Sequence, residues 1–311
     1  MESFLFSGKI ILPIFILILS GFLLRKFKLI TDGFLNGANK FTFNFLFPIL
    51  MVYNLGTSDF LMDFDVKLVG FVLIVTSLVF FVSWPIVHFT FKTPGRKGVV
   101  IQAMFRSNFI LFGIPICTAI FGEAGANQAS IVAAFIVPLY NIFASFILAF
   151  YNPERKGNKW KCIYEIFKNP IIIGSIIGII ISLLKLDMPD AIPIKSLANT
   201  ATPIAFVLLG AELNFKHIYK HFSLISSVIF LRGMALPTLF LVSAYFMGYR
   251  GVEIAVIIAA YFSPIAVSSY VMAKNENSDY ELAAEMVAFS ALMALIMVFL
   301  AVYTTKSLGI L

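Results

Sequence analysis

The 311-residue chain is 60% hydrophobic, with a mean hydropathy of +0.96 and only 13% charged residues. These proportions are far more apolar than a soluble domain of this length can bury, so they exclude a soluble globular protein. The formal net charge is +7, but the basic residues stand between apolar runs rather than in one stripe, which disfavours nucleic-acid binding. We therefore predict an integral membrane protein whose partner is the lipid bilayer, with no nucleic-acid partner.

Apolar runs of about 20 residues, the length that crosses a bilayer, recur along the whole chain. They predict an all-α polytopic membrane protein that forms a single transmembrane domain over residues 1–311. The ten predicted transmembrane helices lie at about residues 8–24, 37–57, 67–91, 98–121, 128–151, 170–186, 194–213, 223–248, 251–272 and 280–303.

The basic residues between these spans are concentrated in alternate loops, and the most basic loop is the segment 152–169. By the positive-inside rule these loops face the cytoplasm, so we expect a multi-pass protein of the cell membrane with both termini outside. The same segment divides the chain into repeat 1 (about 8–151), a cytoplasmic linker and repeat 2 (about 170–303). Each group has an odd number of spans, which makes any repeat inverted.

The fourth span of each half is interrupted, by Gly113, Ile114 and Pro115 in the first half and by Ser263 and Pro264 in the second. Proline cannot donate a backbone hydrogen bond and clashes with the preceding turn, so each helix can open there. Paired interruptions at corresponding positions indicate the binding site of a transporter, because membranes tolerate non-helical backbone only inside protein or beside a water cavity. The freed N–H groups and the positive end of the following half-helix would hold a small anion.

Five stretches along the chain resemble, in the same order, segments of a known family. They are "NKFTFNFLFPILMVYNL", "SNFILFGIPICTAIFGEAG", "KNPIIIGSIIGIIISLL", "LRGMALPTLFLVSAYFMGYRGVEIAVIIAA" and "SPIAVSSYVMAKNENSD". The family is that of the auxin efflux carriers, which includes the plant PIN-FORMED carriers and bacterial malate and malonate permeases. The resemblance implies ten helices in two inverted five-helix repeats, with helices 4 and 9 broken and crossing, as in bile acid symporters and sodium–proton antiporters.

The resemblance also implies where a substrate binds. In the family, asparagine side chains and half-helix ends near the crossing hold the substrate carboxylate, and Asn108 stands at the fourth-span asparagine position. Near the second break this chain has serines instead of the plant carriers' asparagine-bearing arrangement, so auxin itself is not the expected substrate. Asn108 would otherwise cap a half-helix or bond to a neighbouring helix. The predicted substrate-binding residues are Asn108, Gly113, Ile114, Pro115, Ser263, Pro264, Ser268 and Ser269.

Ionisable residues inside apolar spans are rare and usually functional. Arg232, deep in the eighth span, is predicted to form a charge pair with Glu285 in the last span, and Glu212 is the other candidate partner. Such a pair would serve the structure, or anion attraction and coupling, and Glu285 is the predicted proton site. Arg106 lies near the start of its span, so its side chain is expected to snorkel back to the cytoplasmic interface.

The sequence has no HExxH, no GxxxxGK[ST] and no cysteine-rich cluster, so we predict no metal site, no cofactor and no enzymatic activity. His217 and His221 lie in a basic loop, where a solvated position is favoured over a zinc site. Gly174 and Gly178 have the spacing of small residues in closely packed membrane helices. We expect them to pack within the protomer, and a homodimer is the alternative.

These observations predict a secondary transporter of small organic anions, mono- or dicarboxylates, that works by alternating access. Two alternatives stay open. A carrier similar to the bile acid symporters would be coupled to sodium rather than to protons, and a membrane receptor would bind a metabolite in the same pocket without moving it.

Overall fold

The computed structural model describes residues 2–152, 168–186, 193–213 and 221–311. Within these ranges the chain is helical apart from short connections and one isolated backbone bridge. The predicted cytoplasmic linker 152–169 lies largely outside the described residues, and His217 lies wholly outside them.

The helices are α1 Glu2–Lys26, α2 Asp32–Phe41, α3 Phe47–Gly56, α4 Phe60–Asp63, α5 Val66–Thr90, α6 Pro94–Phe105, α7 Ile114–Tyr151, α8 Pro170–Leu183, α9 Ile194–Glu212, α10 Phe222–Phe230, α11 Leu236–Phe246, α12 Val252–Phe262, α13 Ser268–Asn275 and α14 Tyr280–Ser307. Among the described residues, π-helical turns lead directly into α3, α7 and α11, at Thr42–Leu46, Phe109–Gly113 and Leu231–Ala235. Helix α7 contains one non-helical residue, Gly122, which has a φ of 62° and divides it at the boundary predicted between the fourth and fifth spans.

Within the described ranges, six helical stretches are long and apolar enough to cross a membrane: Glu2–Lys26, Val66–Thr90, Phe109–Tyr151, Ile194–Glu212, Phe222–Phe246 and Tyr280–Ser307. Two shorter apolar helices, α8 and α12, accompany them. An all-helical chain with several apolar helices of this length has the architecture of a polytopic membrane protein, as the composition predicts.

Each π-helical turn immediately precedes a helix with proline at its second position: Pro48 in α3, Pro115 in α7 and Pro237 in α11. The first N–H of each of these helices donates to a carbonyl five residues earlier, as from Ile114 to Phe109. Proline removes one donor and its ring crowds the preceding turn, and a wider turn relieves that crowding without ending the helix. Proline at these three positions is thus accompanied by a wider turn rather than a break, whereas other prolines lie inside continuous helices without one: Pro13, Pro85, Pro138 and Pro203.

Glycines allow two pairs of helices to approach closely. Helix α1 packs on α9, where a Cβ atom on Gly21 would lie 1.8 Å from the Val207 carbonyl oxygen and one on Gly210 would lie 1.9 Å from the Ile18 carbonyl oxygen. Helix α8 packs in the same way on α3, where Gly174 faces the Pro48 carbonyl. Gly174 and Gly178 thus pack within the protomer, which is the expected reading of their spacing.

The α1–α9 contact is tested by adding a methyl group at its closest point. Gly21→Ala forces the two backbones apart and should lower the free energy of unfolding by about 1–3 kcal/mol. Gly8→Ala is the matched control on the same helix, because its Cβ would meet nothing within 4 Å. Thermal unfolding of the purified protein in detergent measures both, and equal stabilities of the two variants would contradict the proposed packing.

Candidate functional site

Two helices are interrupted inside the protein, and their non-helical segments are in contact. The first opens between Phe105, the last residue of α6, and Phe109; the second opens between Phe262, the last residue of α12, and Ser268. Ser107 and Ile265 form an antiparallel backbone bridge between the two segments. The backbone N–H of Asn108 also donates to the Pro264 carbonyl oxygen at 2.7 Å. The two predicted interruptions are therefore present and in contact, and we call this contact the crossing.

The first break lies earlier than predicted. The extended residues are Arg106 to Asn108, whereas Gly113 belongs to the π-helical turn and Ile114 and Pro115 form the first turn of α7. The prediction was wrong on this point because proline disturbs the turn before it and is well tolerated at the start of a helix. Gly113 has helical backbone angles. A glycine is needed there because a Cβ atom would lie 2.6 Å from the Phe109 ring.

Arg232 bonds to both breaks. Its buried guanidinium group donates to the carbonyl oxygen of Ser263 at 2.6 Å and to that of Arg106 at 3.3 Å. These are the residues that follow α12 and α6, so one side chain satisfies a carbonyl at the end of each upstream half-helix. A cation is favoured at both positions because the C-terminal end of a helix carries a partial negative charge.

The predicted pair of Arg232 with Glu285 does not form. A carboxylate oxygen of Glu285 lies 3.2 Å from Nδ1 of His221 instead. His221 directly precedes α10, whereas Arg232 lies about three turns further along the same helical path, in the middle of the span. The two charges therefore stand at different depths, which their spacing in the sequence does not reveal.

Arg106 points inward, contrary to the expected snorkelling. The residue is 5% exposed, and its guanidinium donates to Oδ1 of Asn141 at 2.8 Å, to Oγ of Ser268 at 2.9 Å and to the sulfur of Met272. All three partners are neutral. Among the described residues, no carboxylate lies within 4.0 Å of either Arg106 or Arg232. The crossing therefore holds two buried guanidinium charges without a carboxylate partner.

Of the other predicted site residues, some have polar side chains without a hydrogen-bond partner among the described residues, and others are already hydrogen-bonded. Asn108 is half-buried, its backbone is fully bonded, and its side-chain amide has no partner among the described residues. Ser269 is buried and its hydroxyl is also unpaired. Ser268 already bonds to Arg106, and the Ser263 hydroxyl donates to the Ala259 carbonyl within its own helix. Among the predicted substrate-binding residues, all of which the structure describes, Asn108 and Ser269 thus have side chains available to a ligand.

The sequence analysis did not predict several residues that lie at the crossing. Ser290 of α14 accepts the backbone N–H of Ile265 at 3.0 Å and so holds the second break in place. Asn141 holds Arg106, and Tyr140 bonds to the Ser107 hydroxyl at 3.1 Å. A lone amide in the apolar run "VPLYNIFASF" was the available signal for Asn141, because polar side chains in membrane spans usually have a partner.

A second polar cluster links the N-terminal ends of α6, α10 and α14. Arg96 bonds to the Asp279 carboxylate and to Nε2 of His221, both at 3.0 Å, and Nδ1 of His221 contacts Glu285. Arginine can only donate, so Nε2 accepts and the hydrogen of a neutral His221 is on Nδ1, directed at Glu285. His221 is therefore in a bonded cluster rather than the solvated position expected for it.

Two broken helices in contact inside a multi-pass helical protein are typical of membrane transporters. Residues 7–161 and 158–303 match the family described as membrane transport protein. The chain therefore belongs to this family, that of the auxin efflux carriers, as the five sequence stretches predict. An uncharacterized transporter of Methanothermobacter thermautotrophicus (strain Delta H) is 21% identical over 300 residues, which cover 94% of this chain and 96% of that protein.

The two hydrogen bonds of Arg232 to the breaks are tested by a substitution that keeps the charge. Arg232→Lys cannot span both carbonyls, so it should lower the free energy of unfolding by about 1.5–3 kcal/mol, the usual contribution of a hydrogen bond to a charged group. Arg250→Lys is the control: Arg250 also donates to two carbonyls, of Tyr245 and Tyr249, but is exposed. We expect about 0.5 kcal/mol or less there. Thermal unfolding measures both, and an Arg232→Lys protein as stable as wild type would refute the role.

Proposed function

We propose that the protein is a secondary transporter of small organic anions, mono- or dicarboxylates, and that it works by alternating access. The observation that carries the proposal is the pair of buried guanidinium groups at the contact of two broken helices, neither with a carboxylate partner among the described residues. A buried charge without a countercharge is costly, and a bound anion lowers that cost. The proposal includes no enzymatic activity.

The substrate carboxylate binds at the crossing, on the side of Asn108. Neither the Asn108 amide nor the Ser269 hydroxyl has a hydrogen-bond partner among the described residues. Each lies at the start of a downstream half-helix, whose positive end favours an anion. Arg106 supplies the full positive charge beside them through its bond to Ser268. Gly113, Ile114, Pro115, Ser263 and Pro264 shape the backbone around this position.

We further propose the ten-helix architecture with two inverted five-helix repeats, 8–151 and 170–303, joined by the linker 152–169. Two packing pairs support it: α1 of the first half lies on α9 of the second, and α8, which opens the second half, lies on α3 of the first. Exchanging the halves converts one pair into the other, since each joins the first span of one half to the second span of the other. A cell-membrane location with both termini outside and a homodimer stay predictions.

We infer coupling to protons rather than to sodium. The cluster of Asp279, Arg96, His221 and Glu285 carries one net negative charge when His221 is neutral, so one proton neutralises it. Protonation of His221 would also place an N–H against the Arg96 guanidinium and break that contact. Arg96 is on α6, which leads into the first break, and His221 begins the helical path to Arg232, which bonds to both breaks. The proton would therefore act on two elements that are linked to the crossing.

Uptake of labelled carboxylates into proteoliposomes tests the function. Asn108→Ala should reduce saturable uptake. The affinity for the carboxylate substrate should weaken by about 1–3 kcal/mol if the amide bonds a charged ligand. Asn54→Ala is the control, because Asn54 is a buried asparagine that bonds to Ser130 away from the crossing. Its affinity should equal that of the wild type. Binding without flux would identify a receptor, and the absence of any carboxylate uptake would defeat the proposal.

Proton coupling is tested by removing the charge of the cluster. Glu285→Gln and His221→Gln should each abolish the stimulation of uptake by a pH gradient while substrate binding at a fixed pH persists. Glu281→Gln changes the same residue type one turn earlier on α14, where the side chain is exposed, and should retain the stimulation. Uptake that follows a sodium gradient and ignores pH would instead support a carrier similar to the bile acid symporters.

A further inference from the structure

A small cavity lies behind the crossing, on the side of the upstream half-helices α6 and α12. Its volume is about 10 Å³, which is room for one occupant of the size of a water molecule or a chloride ion. Thr76 of α5, Phe105, Arg232, Phe240 of α11 and Tyr261 line it. The cavity is thus bordered by the residues just before both breaks and by the arginine that joins the breaks.

Two polar atoms of this lining form no hydrogen bond of normal geometry with the residues that the structure describes. They are Nε of Arg232 and the hydroxyl oxygen of Thr76, in residues that are 5% and 1% exposed, and the Tyr140 and Tyr261 hydroxyls lie close to that of Thr76. The third polar side chain, Tyr261, is occupied, because its hydroxyl donates to the Val72 carbonyl at 3.0 Å. Buried polar groups in native proteins nearly always have a hydrogen-bond partner, so two donors left at one cavity indicate an occupant that accepts from both.

The charges around the cavity favour an anion over water. Arg106 and Arg232 bring two positive charges, and the two upstream helix ends offset roughly half a charge each. The two downstream half-helix starts add about the same positive charge back. About two positive charges therefore stay uncompensated among the described residues; the proposed substrate carboxylate would balance one of them, and one positive charge is left over. Water would accept both hydrogen bonds but would leave this charge in place, whereas a monovalent anion would accept both bonds and balance it.

We propose that this cavity is a binding site for a small inorganic anion, held between Nε of Arg232 and the hydroxyl of Thr76. Its size excludes an organic carboxylate, so the site is distinct from the proposed substrate position, which lies at Asn108 beside the downstream half-helices. The anion is a counterion for the residue that joins the two breaks. The site goes beyond the proposed transport function and does not depend on it.

The first experiment measures stability against chloride. The purified protein is melted in detergent while sodium chloride replaces sodium methanesulfonate at constant ionic strength, since methanesulfonate is too large for the cavity and is not a carboxylate. A specific anion raises the melting temperature saturably. Thr76→Val removes the hydroxyl and should raise the half-saturating chloride concentration by about tenfold, whereas Thr76→Ser should keep the wild-type value. Thr305→Val is the control, because Thr305 is equally buried but bonds within its own helix.

The second experiment locates the ion in the wild-type protein, so it is independent of whether a variant folds. Crystals grown in sodium bromide should show an anomalous peak between Nε of Arg232 and Thr76. Density without an anomalous signal would identify a water molecule and overturn the proposal, as would a chloride response in Thr76→Val identical to that of wild type. A bromide peak in a protein that moves no carboxylate would separate this site from the transport function.

Discussion

The structure depends on how the backbone of two broken helices is satisfied inside the membrane. A carbonyl that loses its helical partner in an apolar interior must find another donor, and water is scarce there. Arg232 supplies donors to the open end of each upstream half-helix, at Ser263 and at Arg106. Because one planar group serves both ends, a movement of either break away from the other would break one of the two hydrogen bonds of Arg232. The backbone bridge between Ser107 and Ile265 strengthens this link.

The sequence predicts the class of the fold, an all-helical polytopic membrane protein, because composition and apolar run length report directly on membrane spans. It also places the two interruptions in the correct spans, since proline and glycine constrain the backbone locally. It misplaces the first break, because proline does not by itself mark an open segment: Pro48, Pro115 and Pro237 all follow a π-helical turn that continues into a helix. What distinguishes the second of these is the extended segment Arg106 to Asn108, which is held by tertiary bonds that no local pattern encodes.

The charges of the site illustrate the same limit. The sequence identifies Arg232 and Glu285 as unusual, but the choice of partner depends on depth in the membrane and on which faces of the helices meet. In the structure Arg232 bonds to carbonyls and Glu285 bonds to His221. Arg106 has a side chain long enough for either direction, and only the positions of Asn141 and Ser268 decide that it turns inward.

The direction of the helix ends gives the crossing its charge preference. The upstream ends, where carbonyls accumulate, are occupied by Arg232, so their partial negative charge is not offered to a ligand. The downstream ends are accompanied by Asn108, Ser269 and the Arg106 guanidinium, so the field on that side is positive. A sodium site at the crossing would need the opposite arrangement, with carbonyls and carboxylates facing the ion. The proton that we propose as the coupling ion would therefore act away from the crossing, at the cluster of His221 and Glu285. There it would affect α6 and the helical path that carries Arg232 without competing with the proposed anion.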